Sequence, residues 1–85
     1  MPKRRSFDIA PLPLEVQVAL QDFGARIVLA RKERGYSQRA LADMMGVSLT
    51  TLVSLERGAP SVQIGHYARA AWLLDIAFPH RGAIS

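Results

Sequence analysis

The stretch QRALADMMGVSLTTLVSLERG, residues 38–58, predicts two short helices joined by a turn at Gly46. Ser37 and Ser48 each precede a helical segment, where a serine hydroxyl can accept from the free N–H groups of the first turn. Gly46 follows the last apolar residue of the first segment, and glycine adopts the left-handed backbone of a helix end at little cost. Gly58 is placed to end the second segment. The spacing therefore predicts a tight helical hairpin.

Apolar residues at helical spacing indicate which side of each short helix faces inward. In the first helix they are Leu41, Ala42 and Met45, and in the second they are Leu52 and Leu55. Two helices that cross this closely leave no room at Ala42 for a longer side chain. This is the geometry of a helix-turn-helix, whose second helix lies in the major groove of DNA.

The chain resembles the phage-repressor (Cro-like, or Xre) helix-turn-helix family at five positions of matching spacing: Gln38, Ala42, Gly46, Leu52 and Leu55. The flanking sequences ARIVLARKERGYSQ and LERG are also similar to that family, so the resemblance runs from about residue 25 to residue 76. It implies an all-α fold: a compact four- to five-helix repressor-type helix-turn-helix domain with a basic N-terminal arm.

The chain is expected to divide into three parts. Residues 1–13 form a flexible basic arm, residues 14–78 the helix-turn-helix domain, and residues 79–85 a loose C-terminal tail. Lys3, Arg4 and Arg5 cluster in the arm among prolines that prevent regular structure. Such an arm can enter a minor groove or lie along phosphates, or it can be a plain disordered terminus. Both interpretations stay open.

Two longer helices are expected to flank the hairpin. The first has an apolar stripe at Val16, Leu20, Phe23, Ile27 and Ala30. Gly24 weakens this helix and could divide it in two. The last helix is expected to turn one face inward, made of Ile64, Tyr67, Ala68, Ala71 and Leu74.

Arg31 lies one step from the stripe of the first helix, so part of its side chain should be buried. In the resembling family an arginine at this place pairs with the glutamate of the LERG-type sequence, which is Glu56 here. A single buried charge is costly, so a buried Arg31 requires such a partner. The alternative is two solvated surface charges.

The outward residues of the second short helix are the candidates for contact with DNA. By resemblance, the base-facing positions are Leu49, Thr50, Val53 and Ser54. Leucine and valine suit thymine methyl groups, and hydroxyls can pair with several bases, but no side chain here makes a two-pronged contact. Base readout should therefore be modest, with added specificity from DNA shape and the arm. Contacts to the DNA backbone are expected from Gln38, Arg39, Thr51 and Arg57.

Composition narrows the classes of function. The chain has 85 residues, a net charge of +4 and no cysteine. The positive charge favours phosphate backbones as partners, although ordinary solubility would account for it equally well. No metal site, cofactor or catalytic residue is expected, because His66 and His80 have no paired acid at a suggestive spacing. No membrane span or secretion signal is predicted, so a cytoplasmic location is expected.

The end of the last helix carries more apolar surface than a small core needs. Trp72, Leu73, Ile76 and Phe78 are expected to form a symmetric dimer face, together with the stripe at residues 16–20. A homodimer would match a palindromic operator in double-stranded DNA. The run ERGAPSVQIGHYARAAWLLDI, residues 56–76, resembles HipB-like antitoxins, which implies a repressor of its own operon with a kinase-like toxin as partner. The alternative is a protein-interaction module whose DNA binding is secondary.

Overall fold

A computed structural model describes residues 12–77 of the chain, and this part contains four helices and no strand. We label them α1, Leu14–Glu33; α2, Gln38–Met45; α3, Leu49–Glu56; and α4, Ile64–Leu74. The expected all-α, repressor-type architecture is confirmed. The expectations for Lys3, Arg4, Arg5 and Phe78 lie outside the described residues.

Helix α1 begins where Pro13 fixes the backbone in an extended conformation. The carbonyl oxygen of Pro13 accepts from the N–H groups of Val16 and Gln17 at 3.0 and 3.1 Å. The helix ends at Gly35, whose positive φ of 74° reverses the chain. It runs through Gly24 without interruption, so the expectation that this glycine could divide the helix is wrong. Almost all side chains before Gly24 are exposed, whereas those after it supply the buried face.

Helices α2 and α3 are held by local capping. The Ser37 hydroxyl accepts from the N–H of Ala40, and the Ser48 hydroxyl accepts from the N–H of Thr51, each at 3.0 Å. Between the helices, Gly46 is left-handed with φ of 73°, and the N–H of Val47 bonds to the Ala42 carbonyl at 3.0 Å. These caps satisfy backbone groups that short helices would otherwise leave unpaired.

All four helices contribute to one apolar core. Its largest fully buried side chains are Ile27, Leu41, Leu52, Leu55 and Leu74. Burying each of these side chains contributes about 1.5–3 kcal/mol relative to leaving it in water. The small residue Ala42 is buried between the helices of the hairpin, where the close crossing requires it.

Helix α4 packs on α1 and α2 with a face slightly different from the expected one. Tyr67, Ala70, Ala71 and Leu74 are buried, whereas Ile64 is 73% exposed and Ala68 is half-buried. The expected inward placement of Ile64 and Ala68 is therefore wrong. Alanines at positions 68, 70 and 71 make the two neighbouring faces of this helix almost equally apolar, so periodicity could not choose between them.

Two glycines allow the backbone of α1 to touch the end of α3. A Cβ atom on Gly24 would lie 2.5 Å from the carbonyl oxygen of Glu56. A Cβ atom on Gly58 would lie 2.5 Å from the carbonyl oxygen of Leu20, and Gly58 also has a positive φ of 78°. No side chain fits at either place without a backbone shift. This contact sets where α3 emerges from the domain.

Candidate nucleic-acid interface

The outer side of α3 carries a narrow stripe of small apolar and hydroxyl side chains. Leu49 is 36% exposed, Thr50 is exposed, and Val53 and Ser54 are half-buried. Residues four apart on a helix lie one above the other, so Leu49 stands over Val53 and Thr50 over Ser54. Leu52 and Leu55 point the opposite way, into the core. The stripe thus presents two apolar groups beside two hydroxyls on one surface.

The stripe is held in place by a buried ion pair at the other end of α3. The Nε atom of Arg31 lies 2.6 Å from Oε2 of Glu56, and Nη2 lies 3.3 Å from Oε1. A third guanidinium nitrogen, Nη1, donates to the carbonyl oxygen of Tyr36 at 3.0 Å. Two parallel charge-assisted bonds fix both distance and orientation. They join the end of α1 to the end of α3.

Comparison with known proteins agrees with this geometry. Residues 27–65 match the sequence profile of the helix-turn-helix family. This segment is a helix-turn-helix domain. The match begins within α1 and ends just inside α4, so it contains α2, the turn, α3 and the buried ion pair. The resemblance to the Cro-like family is confirmed.

One relative is an uncharacterized HTH-type transcriptional regulator of Sinorhizobium fredii. It is 46% identical over 44 residues, which cover 52% of this chain and 58% of that protein. The chain thus spans little more than half of the relative's length. No solved structure gave a significant match.

Gln38, expected at the DNA backbone, also takes part in the ion-pair network of the helix-turn-helix domain. Its side-chain amide donates to Oε1 of Glu56 at 2.8 Å, and the side chain is half-buried. The first residue of α2 is thereby tied to the last residue of α3. Sequence reasoning missed this bond because the two residues are 18 positions apart and no local pattern connects them.

The other three residues expected at the DNA backbone divide into two kinds. Arg39, in the first turn of α2, and Arg57, directly after α3, are exposed. Thr51 is half-buried, and its hydroxyl oxygen accepts from the Ser48 hydroxyl at 3.0 Å. Thr51 therefore helps to cap α3, and its own hydroxyl proton stays available to a second acceptor.

Tyr67 ties the turn after α3 to the core of the domain. Its hydroxyl donates to the carbonyl oxygen of Ala59 at 2.7 Å, and burial raises the pKa of the Tyr67 phenol above its usual value. The ring lies 6.0 Å from that of Phe23, at an angle of 52°. Tyr67 thus fixes the chain as it leaves α3 and turns toward α4.

Three of the residues expected on a dimer face are within the described part, and they face different ways. Trp72 is 78% exposed, whereas Leu73 and Ile76 are half-buried and pack against the core. Of the stripe at residues 16–20, Val16 is exposed and Leu20 is half-buried against the core. Among these, Trp72 has by far the largest free apolar surface.

Two searches limited to residues 12–77 gave negative results. That part has no helix long and apolar enough to cross a membrane. Within the same residues, no three histidine, aspartate or glutamate side chains come together as ligands for a metal ion.

Proposed function

We propose that this chain is a sequence-specific DNA-binding transcriptional repressor that acts as a homodimer. The observation that carries the proposal is the outward stripe of α3 on a helix-turn-helix domain whose α3 is held by the buried Arg31–Glu56 pair. In such a domain the second helix of the motif enters the major groove and its exposed residues reach the base edges.

The chemistry of the stripe determines the kind of readout. Leu49 and Val53 would contact thymine methyl groups, and the hydroxyls of Thr50 and Ser54 would pair with more than one base. Arginine, asparagine and glutamine are absent from these four positions. Base discrimination would therefore be modest, and much of the affinity would come from phosphates and depend on salt.

Phosphate contacts would come from both ends of the motif. Arg39 and Arg57 are exposed and carry the charge. Gln38 uses one N–H of its amide on Glu56, and the second N–H remains as a donor to a phosphate oxygen. Thr51 can likewise give its hydroxyl proton to a phosphate. Such contacts position the protein on DNA without reading sequence. The arm residues Lys3, Arg4 and Arg5 would add to them.

We further propose that the protein is an antitoxin of the HipB-like type. The support is the resemblance of residues 56–76 to that group. Such a protein represses its own operon as a homodimer on a palindromic operator and binds a kinase-like toxin. It would itself be non-enzymatic, without cofactor or metal, and cytoplasmic.

Selection of bound sequences from a random DNA pool tests the proposal. We expect recovered sites to contain two inverted half-sites whose centres lie about 10 base pairs or a multiple apart. Binding should weaken steeply as salt rises. Recovery of no preferred sequence at any salt concentration would contradict a sequence-specific repressor.

The exposed Trp72 favours one second function, a module that mainly holds a partner protein. Co-expression with the neighbouring reading frames separates the two. A stable complex with a kinase-like protein, without DNA binding by the isolated chain, would favour the second function.

A further inference from the structure

The outer face of α4 consists of one large side chain beside very small ones. We call this the α4 outer face, and its members are Gly65, Ala68, Arg69 and Trp72. Trp72 is 78% exposed although the adjacent Ala71 is buried. The family match stops at residue 65, so most of this face lies beyond the part that the helix-turn-helix domain shares with other proteins.

The fold itself does not explain the glycine at position 65. Gly65 lies in the first turn of α4 and its φ is not positive. A Cβ atom built on it would meet nothing within 4 Å. Gly24 and Gly58, by contrast, each stand against backbone. Since glycine weakens a helix relative to alanine, a glycine without internal purpose favours close approach by something outside the chain.

Gly65 and Trp72 are seven residues apart, which is two helical turns, so they share a face. Consider two copies of α4 packed antiparallel about a two-fold axis that passes between positions 68 and 69. Trp72 of each copy then stands over Gly65 of the other, with Ala68 near the axis. The large group and the gap exchange places under the symmetry, which is the self-complementarity that a two-fold interface requires.

We propose that the α4 outer face is the surface on which a second copy of this chain docks, with each Trp72 placed over Gly65 and Ala68 of the other copy. The inference rests on the proposed function, because it names the surface by which that homodimer forms. Arg69 flanks Trp72 on this face and can place its guanidinium over the indole of the other copy.

The area of this face determines how strong the dimer is. A tryptophan buries about 150–250 Å², whereas a stable interface needs about 800 Å² from each partner. Trp72 therefore supplies roughly a quarter of the need and acts as the anchor, as interface tryptophans do. The remainder has to come from the rest of the outer face and from neighbouring residues. Two such domains would form a reversible dimer that paired half-sites in DNA hold together.

Trp72 is the only tryptophan of the chain, so its fluorescence reports directly on this surface. We expect the emission of the wild-type chain to shift to shorter wavelength as concentration rises. The shift should follow the doubling of mass seen by analytical ultracentrifugation. A dimer that forms without any change in emission, or a chain that stays monomeric on paired half-sites, would overturn the proposal.

Gly65→Leu is the decisive variant, because it fills the gap while touching nothing in its own chain. It should remain folded by circular dichroism, stay monomeric, and lose roughly 100-fold in affinity for paired half-sites. Its affinity for a single half-site should equal that of the wild type. Ala25→Leu, which enlarges an exposed residue of α1, is the matched control and should dimerise normally. Normal dimerisation by Gly65→Leu would overturn the inference.

The two proposals can fail separately. If the wild type dimerises with the emission shift yet binds no DNA, the repressor function is wrong and the docking surface stands. If the wild type binds paired half-sites while Gly65→Leu binds them equally well, the docking surface is wrong and the repressor function stands.

Discussion

Glu56 is a buried carboxylate that receives three hydrogen bonds from two other helices. Two come from Arg31 on α1 and the third comes from Gln38 on α2. Because carboxylate and guanidinium share one buried site, removing either leaves the other without a counter-charge in a poorly solvated place. The network therefore links the orientation of α3 to the stability of the whole domain.

Substitution of either charged partner should destabilise the domain strongly. We expect Arg31→Met and Glu56→Leu each to lower the free energy of unfolding by about 3–5 kcal/mol, because each strands a buried charge. The double variant should lose less than the sum of the two, which urea denaturation can measure as a double-mutant cycle. Arg57→Met, at an exposed arginine, is the control and should change little. Additive losses would mean that the two charges act independently.

Tyr67 predicts a dependence of stability on alkaline pH. Its folded-state pKa is raised by burial, so above the ordinary tyrosine value of about 10 the unfolded chain loses the proton first. Stability from this group is therefore complete below that pH and is lost as the pH rises through the folded pKa. Tyr67→Phe should lose about 1 kcal/mol at neutral pH from the missing bond to Ala59. The decline in the free energy of unfolding between pH 9 and about 11 should become shallower in this variant. An unchanged decline would assign it to other groups.

The elements of this domain depend on one another to different extents. Helices α2 and α3 carry their own caps at Ser37 and Ser48, so local sequence is enough to start and stop them. Their arrangement relative to α1 depends instead on the backbone contact between Gly24 and Gly58. That contact joins residues far apart in the chain and leaves no periodic signal. Sequence reasoning consequently predicted the hairpin correctly and misjudged Gly24.

Gly24→Ala should be destabilising although alanine favours helices. The added methyl would lie 2.5 Å from the Glu56 carbonyl oxygen, so α1 and α3 would have to move apart. We expect a loss of about 1–3 kcal/mol, as for other overpacked sites, seen as a lower midpoint in thermal unfolding. Gly65→Ala, where the methyl meets open space, is the control and should be neutral or stabilising at low protein concentration. Equal midpoints for the two variants would contradict the close crossing.

The outward stripe of α3 and the cations that flank it should affect DNA binding differently. Thr50→Ala should change which sequences are recovered from a random pool, because its hydroxyl would face base edges. Arg39→Ala should weaken all sequences alike and reduce the salt dependence by about one phosphate contact. Fluorescence anisotropy at several salt concentrations measures both effects. The reverse outcome would mean that α3 lies in the groove in another orientation.

At the scale of the whole molecule, predictability followed the range of the interactions. The caps and the inward leucines of α2 and α3 follow from neighbouring residues and were predicted from the sequence. The facing of α4 was predicted only in part, since alanines on adjacent faces make its rotation ambiguous. The bond from Gln38 to Glu56 could not be predicted, because it depends on how two helices meet. The candidate DNA-contacting residues were found through the family resemblance more than through their chemistry.

The exposed first half of α1 divides this helix in time as well as in space. Residues 14–22 bury little, whereas Ile27, Ala30 and Arg31 are buried in the domain. Local opening of a helix end costs far less than global unfolding, so amide protons near positions 18–22 should exchange with deuterated water long before those near 27–31. The boundary should fall close to Gly24, where the backbone of α1 first meets α3. Hydrogen exchange followed by mass spectrometry would show one continuous helix exchanging at two separate rates.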